Sequence, residues 1–284
     1  MRLFICLSLF ISNVNFILQR SLFLLHLFCR LITWLATTKA HMKRIRIKLV
    51  TLGNLKYPVK FSLVENWKSN VFDAQHVDQI QALPNAQGRD WSYPDAQLTD
   101  LIRPDDGYDF TVGVINAPLE YNYYLRRLNN NVCVLSLFET ADILRYSNLT
   151  IEDFLIRNLY EICSFYLEGG RKIPDSAHSP SHDETRGCLF DMNANKADIV
   201  FSTERPSICG PCKTRIMSAQ IAKDFLPSVE KELSNIRKAL YYRMAAFVKT
   251  HPIYALAITT LSALLLNIVA NYVYDYLKSS GVRF

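Results

Sequence analysis

The segment IYALAITTLSALLLNIVANYVY, Ile253 to Tyr274, carries no charged side chain. As a helix it is long enough to cross a hydrocarbon core of about 30 Å. No other feature narrows the folds open to this chain as much, because lipid obliges a segment to satisfy its own backbone polar groups. Tyr254, Tyr272, Tyr274 and Tyr276 stand where interfacial aromatic residues belong, and Pro252 takes the first helical turn, where a missing N–H costs nothing. Lys231, Arg237, Lys238, Arg243 and Lys249 precede the segment, while only Lys278 and Arg283 follow it. The positive-inside rule therefore expects the preceding domain in the cytoplasm, anchored in the inner (cytoplasmic) membrane, with the tail outside. A buried core helix is the competing reading.

One stripe of this segment is polar or small. Leu256, Thr260, Ala263, Asn267, Asn271 and Tyr274 follow at spacings of three and four. Two asparagines one turn apart are costly against lipid unless they meet a partner helix or water. Thr260, Ala263, Asn267 and Asn271 are therefore expected to form an oligomerisation face, making the chain a homo-oligomer within the lipid bilayer. The alternative is a simple anchor with Asn271 near the headgroups.

The hydrophobic half of the composition is unevenly spread, and so is the net charge of +6. Residues 1–41 are apolar and are expected to be a membrane segment or upstream sequence ahead of a true start at Met42, with a signal peptide as a third option. A soluble mixture over 42–216 has the size of one ordinary domain. A linker over 217–251 places Val229, Leu233, Ile236, Leu240, Met244 and Phe247 on one helical face, as in a seam or a membrane-surface helix. The membrane helix occupies 252–277 and a tail 278–284. The basic residues cluster beside the apolar ends and form no stripe on the central domain, so no direct binding of nucleic acid is expected.

Within the central domain, Ile45 to Leu52 alternates basic and apolar residues, the pattern of a half-buried strand. YPVKFSLVE reads as another extended segment, Phe72 to Leu83 as weakly helical, and Pro84 to Asp109 as loops. YDFTVGVINAPL is a buried strand ended by Pro118, and NNNVCVLSLFE a turn and a second buried strand. LTIEDFLIRNLYEICSFYLEGG is a helix that Thr150 caps and Gly169 ends. Its apolar face runs Ile151, Phe154, Leu155, Leu159, Ile162 and Phe165. The order of elements predicts an α+β fold.

The chain has seven cysteines. Cys133 and Cys163 sit in apolar runs and read as core thiols. Cys188, Cys209 and Cys212 lie in polar, loop-like surroundings, which favours a reducing compartment and a metal site over a disulfide framework. The fourth ligand is expected to be His182, in SHDETRGC, or else His178. Three cysteines and a histidine compose a closed structural zinc site. A redox Cys209–Cys212 pair and unliganded thiols are the alternatives. The polar stretch FDMNANKADI reads as an excursion whose Asp191, Lys196 and Asp198 either meet a partner or solvate the loop.

The order strand, NAPL turn, strand, long helix and then C…CxxC resembles the archaemetzincin group of zinc metallopeptidases, over roughly Asp109 to Arg215. GCLFDM and ICGPC carry the specific part of the likeness. The resemblance implies a metzincin-like mixed sheet with a cysteine-rich zinc knuckle, and a helix that in the family carries HExxHxxGxxH. Here the helix reads YEICS over Tyr160–Ser164. Glu161 remains, but tyrosine and serine replace the histidines that place two ligands on one helix face. Without the metal Glu161 has no activated water to deprotonate, so no catalytic residue is expected, and Glu161 reads as a carboxylate on the helix surface.

A degenerate peptidase fold tied to a polar-striped membrane helix resembles the transmembrane effectors of bacterial anti-phage systems, of the retron and cyclic-nucleotide kinds. The resemblance implies a non-catalytic effector that depolarises the inner membrane when a regulatory protein or ribonucleoprotein partner releases it. A tail-anchored adaptor for a cytoplasmic partner is the alternative, and a residual metallopeptidase the third.

Overall fold

The computed structural model describes residues 42–174, 180–183, 185–236 and 240–279. The N-terminal apolar stretch 1–41, His178 and the end of the tail lie outside the described residues. Arg44–Phe284 forms one compact unit.

The first strand, β1 (Ile45–Leu52), follows the alternation of its sequence and is an interior strand of the parallel part of the sheet. A short helix, α1 (Phe61–Glu65), leads to β2 (Phe72–Ile80). Both differ from the expectation that the first segment is extended and the second helical. Phe72 and Ala74 are buried in alternation, and β2 pairs in parallel with β1 from Ile45↔Phe72 to Leu52↔Ile80. Tertiary pairing outweighs the weak helical pattern of FDAQHVDQI. The loop expected over Pro84–Asp109 contains α2 (Asp95–Leu101).

Beyond it, β3 (Phe110–Ile115) is buried at every residue, β4 (Leu125–Leu128) is a short edge strand not anticipated from the sequence, and β5 (Val132–Ser136) is the second buried strand. The strand order is β2-β1-β3-β5-β4, with only β4 antiparallel to its neighbour. This is a mixed five-stranded sheet within an α+β fold. Strand period two divides its residues between two faces. Val50, Leu52, Ile115, Val132 and Val134 pack with Leu98 and Ile102 on one side. Phe72 and Phe110, on the other side, meet Tyr160 and Tyr166 with ring centroids 4.9 Å and 5.6 Å apart.

After α3 (Thr140–Tyr146) comes the helix that organises the rest, α4 (Ile151–Glu168). Thr150 caps it, accepting from the Asp153 N–H at 3.0 Å, and Gly169 ends it. The expected apolar face is only half of its burial, because Arg157, Asn158, Glu161 and Ser164 are buried too. A second layer covers what would otherwise be its wet face. That layer comprises a cysteine-bearing loop region, α5 (Ile199–Glu204), α6 (Gly210–Ser218) and α7 (Phe225–Leu233).

The segment read as one linker helix is two, α7 and α8 (Leu240–Thr250). Phe225, Val229, Leu233 and Ile236 are buried, whereas Met244 and Phe247 are exposed. Glu232 fastens α7 to the sheet domain. Its carboxylate accepts from Ser69 Oγ at 2.7 Å, Asn70 N at 2.8 Å, Asn70 Nδ2 at 3.0 Å and Tyr160 Oη at 2.6 Å. Replacing Glu232 with alanine leaves the buried hydroxyls of Ser69 and Tyr160 without this acceptor and is expected to cost about 2–3 kcal/mol. Denaturation of the two proteins side by side checks this. A loss below about 0.5 kcal/mol, the level of an ordinary surface substitution, would contradict it.

Finally, α9 (Pro252–Ser279) contains a 25-residue stretch, Pro252–Tyr276, long and apolar enough to cross a membrane. At 1.5 Å per residue that stretch spans about 37 Å.

Candidate metal centre

Two loops and the start of a helix bring four donors together. His182 is held by backbone pairing: its N–H donates to Phe190 O at 3.0 Å and its carbonyl accepts from Met192 N at 2.8 Å. Cys188 follows Gly187, whose φ of +82° suits a residue without a Cβ. The Gly187 carbonyl accepts from Ser207 N at 3.0 Å, which draws the 205–209 stretch alongside. Cys209 then caps α6 and Cys212 lies in its first turn, with Pro211 placed where its absent N–H is harmless.

One ligand atom from each of His182, Cys188, Cys209 and Cys212 lies within 4.8 Å of the others. His182 Nε2 and Cys209 Sγ are 3.4 Å apart. Around a tetrahedral zinc, bonds of about 2.3 Å to sulfur and 2.0 Å to nitrogen set S···S near 3.8 Å and S···N near 3.5 Å. The donors need only a small contraction to reach that shape. All described cysteines are free thiols, so no disulfide competes for them. The donor set suits zinc, and His182 is the histidine it contains among the described residues.

Electrostatics distinguish the three thiols. Burial pushes Cys188 and Cys212 up. At Cys209 burial acts the same way, but hydrogen bonds from Cys212 and Cys188 outweigh it and lower the pKa. A bound dication would deprotonate all three.

The residues of the YEICS stretch lie elsewhere on α4. Tyr160 Oη donates to Glu232 and accepts from Trp67 Nε1 at 2.8 Å. Ser164 Oγ donates to the Tyr160 carbonyl at 2.9 Å. Glu161 is not on the surface: it is 2% exposed and accepts from Arg157 Nη1 at 2.7 Å. Burial raises its pKa to about 6. Arg157 also donates to Leu189 O at 2.7 Å, which ties α4 to the residue after Cys188. Glu161 reaches a cleft of about 110 Å³ that is also lined by Tyr123, Arg126, Arg127 and Met192.

Asp191 is buried, and Lys196 and Asp198 are engaged with Asn122 at 2.7 Å and Arg186 at 3.0 Å. The FDMNANKADI stretch is therefore a folded part of the second layer. Thr260, Ala263, Asn267 and Asn271 share one side of α9 by helical spacing, far from the donor set in sequence. Thr260 satisfies its hydroxyl on Leu256 O at 2.9 Å. Asn267 and Asn271 are exposed, and their carboxamides have no hydrogen-bond partner among the described residues.

Sequence reasoning missed Arg157, Arg215 and Glu232. Arg157 and Glu161 stood four apart in an otherwise apolar helix, a spacing that puts them on one face. Nothing local marked the other two.

No protein-family model and no curated protein matches the sequence. Among solved structures the chain is similar to archaemetzincin from Methanopyrus kandleri, with a TM-score of 0.41 and 17% identity, covering 61% of this chain and 94% of that one. A likeness of that depth assigns neither family nor activity, and the chemistry of this chain has to be read from its own residues.

Proposed function

We propose that the chain is a membrane-anchored, non-catalytic effector. Its zinc-pinned domain stands on the cytoplasmic side of an inner membrane, and its membrane helices associate and perturb the bilayer when a partner releases them. The observation that carries this reading is α9, apolar along a membrane's thickness yet bearing two exposed asparagines whose carboxamides have no partner among the described residues. In lipid those carboxamides are best met by the same residues of a second copy. A closed four-ligand zinc site leaves no coordination position for substrate, and Tyr160, Glu161 and Ser164 are spent on buried structural contacts. Both support a binding rather than a turnover role.

The test is inducible expression of the full chain, with membrane potential followed by dye. Rapid depolarisation is expected, abolished by truncation after Lys249 and relieved by Asn267→Leu together with Asn271→Leu. Cells that stay polarised and grow normally would overturn the effector reading. An adaptor is the second reading, favoured by the cleft between the β4 edge and Met192. It expects unharmed cells and a stable cytoplasmic partner.

A further inference from the structure

Arg215 lies one helical turn after Cys212 and joins three parts of the metal region. Its Nε donates to Glu168 Oε2 at 2.7 Å and its Nη2 to Oε1 at 3.4 Å, anchoring it to the last residue of α4. Its Nη1 donates to the carbonyl of Pro180, two residues before His182, and to Cys212 Sγ at 3.7 Å. The guanidinium carbon lies over the Phe190 ring, 4.5 Å from its centroid. The side chain is 29% exposed and that of Glu168 13%. Three directions of one rigid fork are thus committed, each to a different element.

Three thiolates and a neutral imidazole around a zinc dication leave one net negative charge. That charge sits largely on sulfur, in surroundings where Cys188 and Cys212 are buried. The only cation hydrogen-bonded to a ligand sulfur among the described residues is Arg215. A charge-assisted N–H···S bond stabilises the thiolate form and fixes the direction of its lone pairs.

We propose that Arg215 is a positioning residue of the metal centre. It donates to Cys212, offsets the negative charge of the loaded site, and clamps the His182 loop and α6 to the end of α4. The inference rests on the zinc reading above. The residue has no place in that reading as a ligand, and lysine cannot replace it, because one ammonium cannot span Glu168, Pro180 and Cys212.

The test uses the full chain in detergent, loaded with zinc or with cobalt(II). Wild type is expected to take up one zinc per chain. Arg215→Met should weaken zinc affinity by about 10–100-fold in chelator competition, as loss of an outer-sphere partner does. Its sulfur-to-cobalt charge-transfer band should move to lower energy, because a thiolate without its hydrogen bond gives up an electron more readily. Arg215→Lys should recover part of the affinity and little of the band position. A merely structural arginine would leave the band in place once the metal is bound. Folded Arg215→Met with zinc affinity within about twofold of wild type and an unshifted band would overturn the proposal. If Arg215→Met does not fold, an unshifted band in Arg215→Lys does the same. Wild type that binds no zinc would instead overturn the zinc reading itself.

Discussion

Serine at Cys188 is expected to lower the stability of the chain by about 3–5 kcal/mol, which for a domain of this size lowers Tm by roughly 6–20 °C. Cys188 is fully buried, and so are the two residues after it, which tie the second layer to α4. Leu189 O receives Arg157 Nη2 from α4, and Phe190 packs on Phe165 with ring centroids 5.5 Å apart. The serine removes one thiolate from a tetrahedral set whose binding free energy is also folding free energy. A strong chelator applied to wild type should reproduce the defect, releasing one zinc as it does so. The sheet is formed from residues before 137 and needs no metal to pair. Strand content should therefore persist while the 180–216 region opens to proteolysis. Metal analysis, thermal denaturation and limited proteolysis on the same samples check this. A Cys188→Ser chain with wild-type Tm, or a chelated wild type equally stable, would refute a structural metal.

The Arg157–Glu161 pair gives the second large effect, and its pH dependence has a definite sign. The two side chains are 0% and 2% exposed. Arg157→Met leaves a buried carboxylate without its cation, and Leu189 O and Asn158 Oδ1 without their donor. Breaking such a pair from one side costs about 3–5 kcal/mol, whereas Arg157→Met with Glu161→Leu should recover most of the loss. In the unfolded chain Glu161 ionises near 4.5, and in the fold burial, opposed by Arg157, lifts this to about 6. Between those values the folded state holds the extra proton. The group therefore favours the fold fully below pH 4.5 and loses that contribution as pH rises through 6. By linkage, wild type should lose about 2 kcal/mol relative to Glu161→Gln between pH 4 and pH 7.5. The Arg157→Met defect should likewise be smallest in acid, where the orphaned carboxyl is neutral. Denaturant midpoints at the two pH values measure both, and a wild type that gained on Glu161→Gln with rising pH would contradict the assignment.

The parts of this fold legible in the sequence share one property: their signal is local. Thr150, Gly169 and a run of apolar residues suffice for α4, because capping and helical period act within a few residues. Strands β1, β3 and β5 announce themselves by alternation or by unbroken apolar runs. The metal donors are readable by type and spacing. The long apolar helix α9 is readable by length and lack of charge, the two properties that would let a helix cross a membrane. Where the reading failed, the deciding contact came from far along the chain. Phe72–Ile80 has no strong local preference and is a strand because β1 lies beside it.

The same division separates the site from its setting. Sequence alone determined that Cys188, Cys209, Cys212 and a histidine form a donor set, and that α9 can span a membrane, because thiolate chemistry and apolar length belong to residue types. Only the tertiary structure decided that Glu161 is interior, that Glu232 reaches back 163 positions to Ser69, and that Arg215 turns its fork towards Glu168 and Cys212. A polar side chain carries no mark of whether it will be buried. Its burial depends on which distant surface closes over it, and here the cysteine-bearing layer closes over α4.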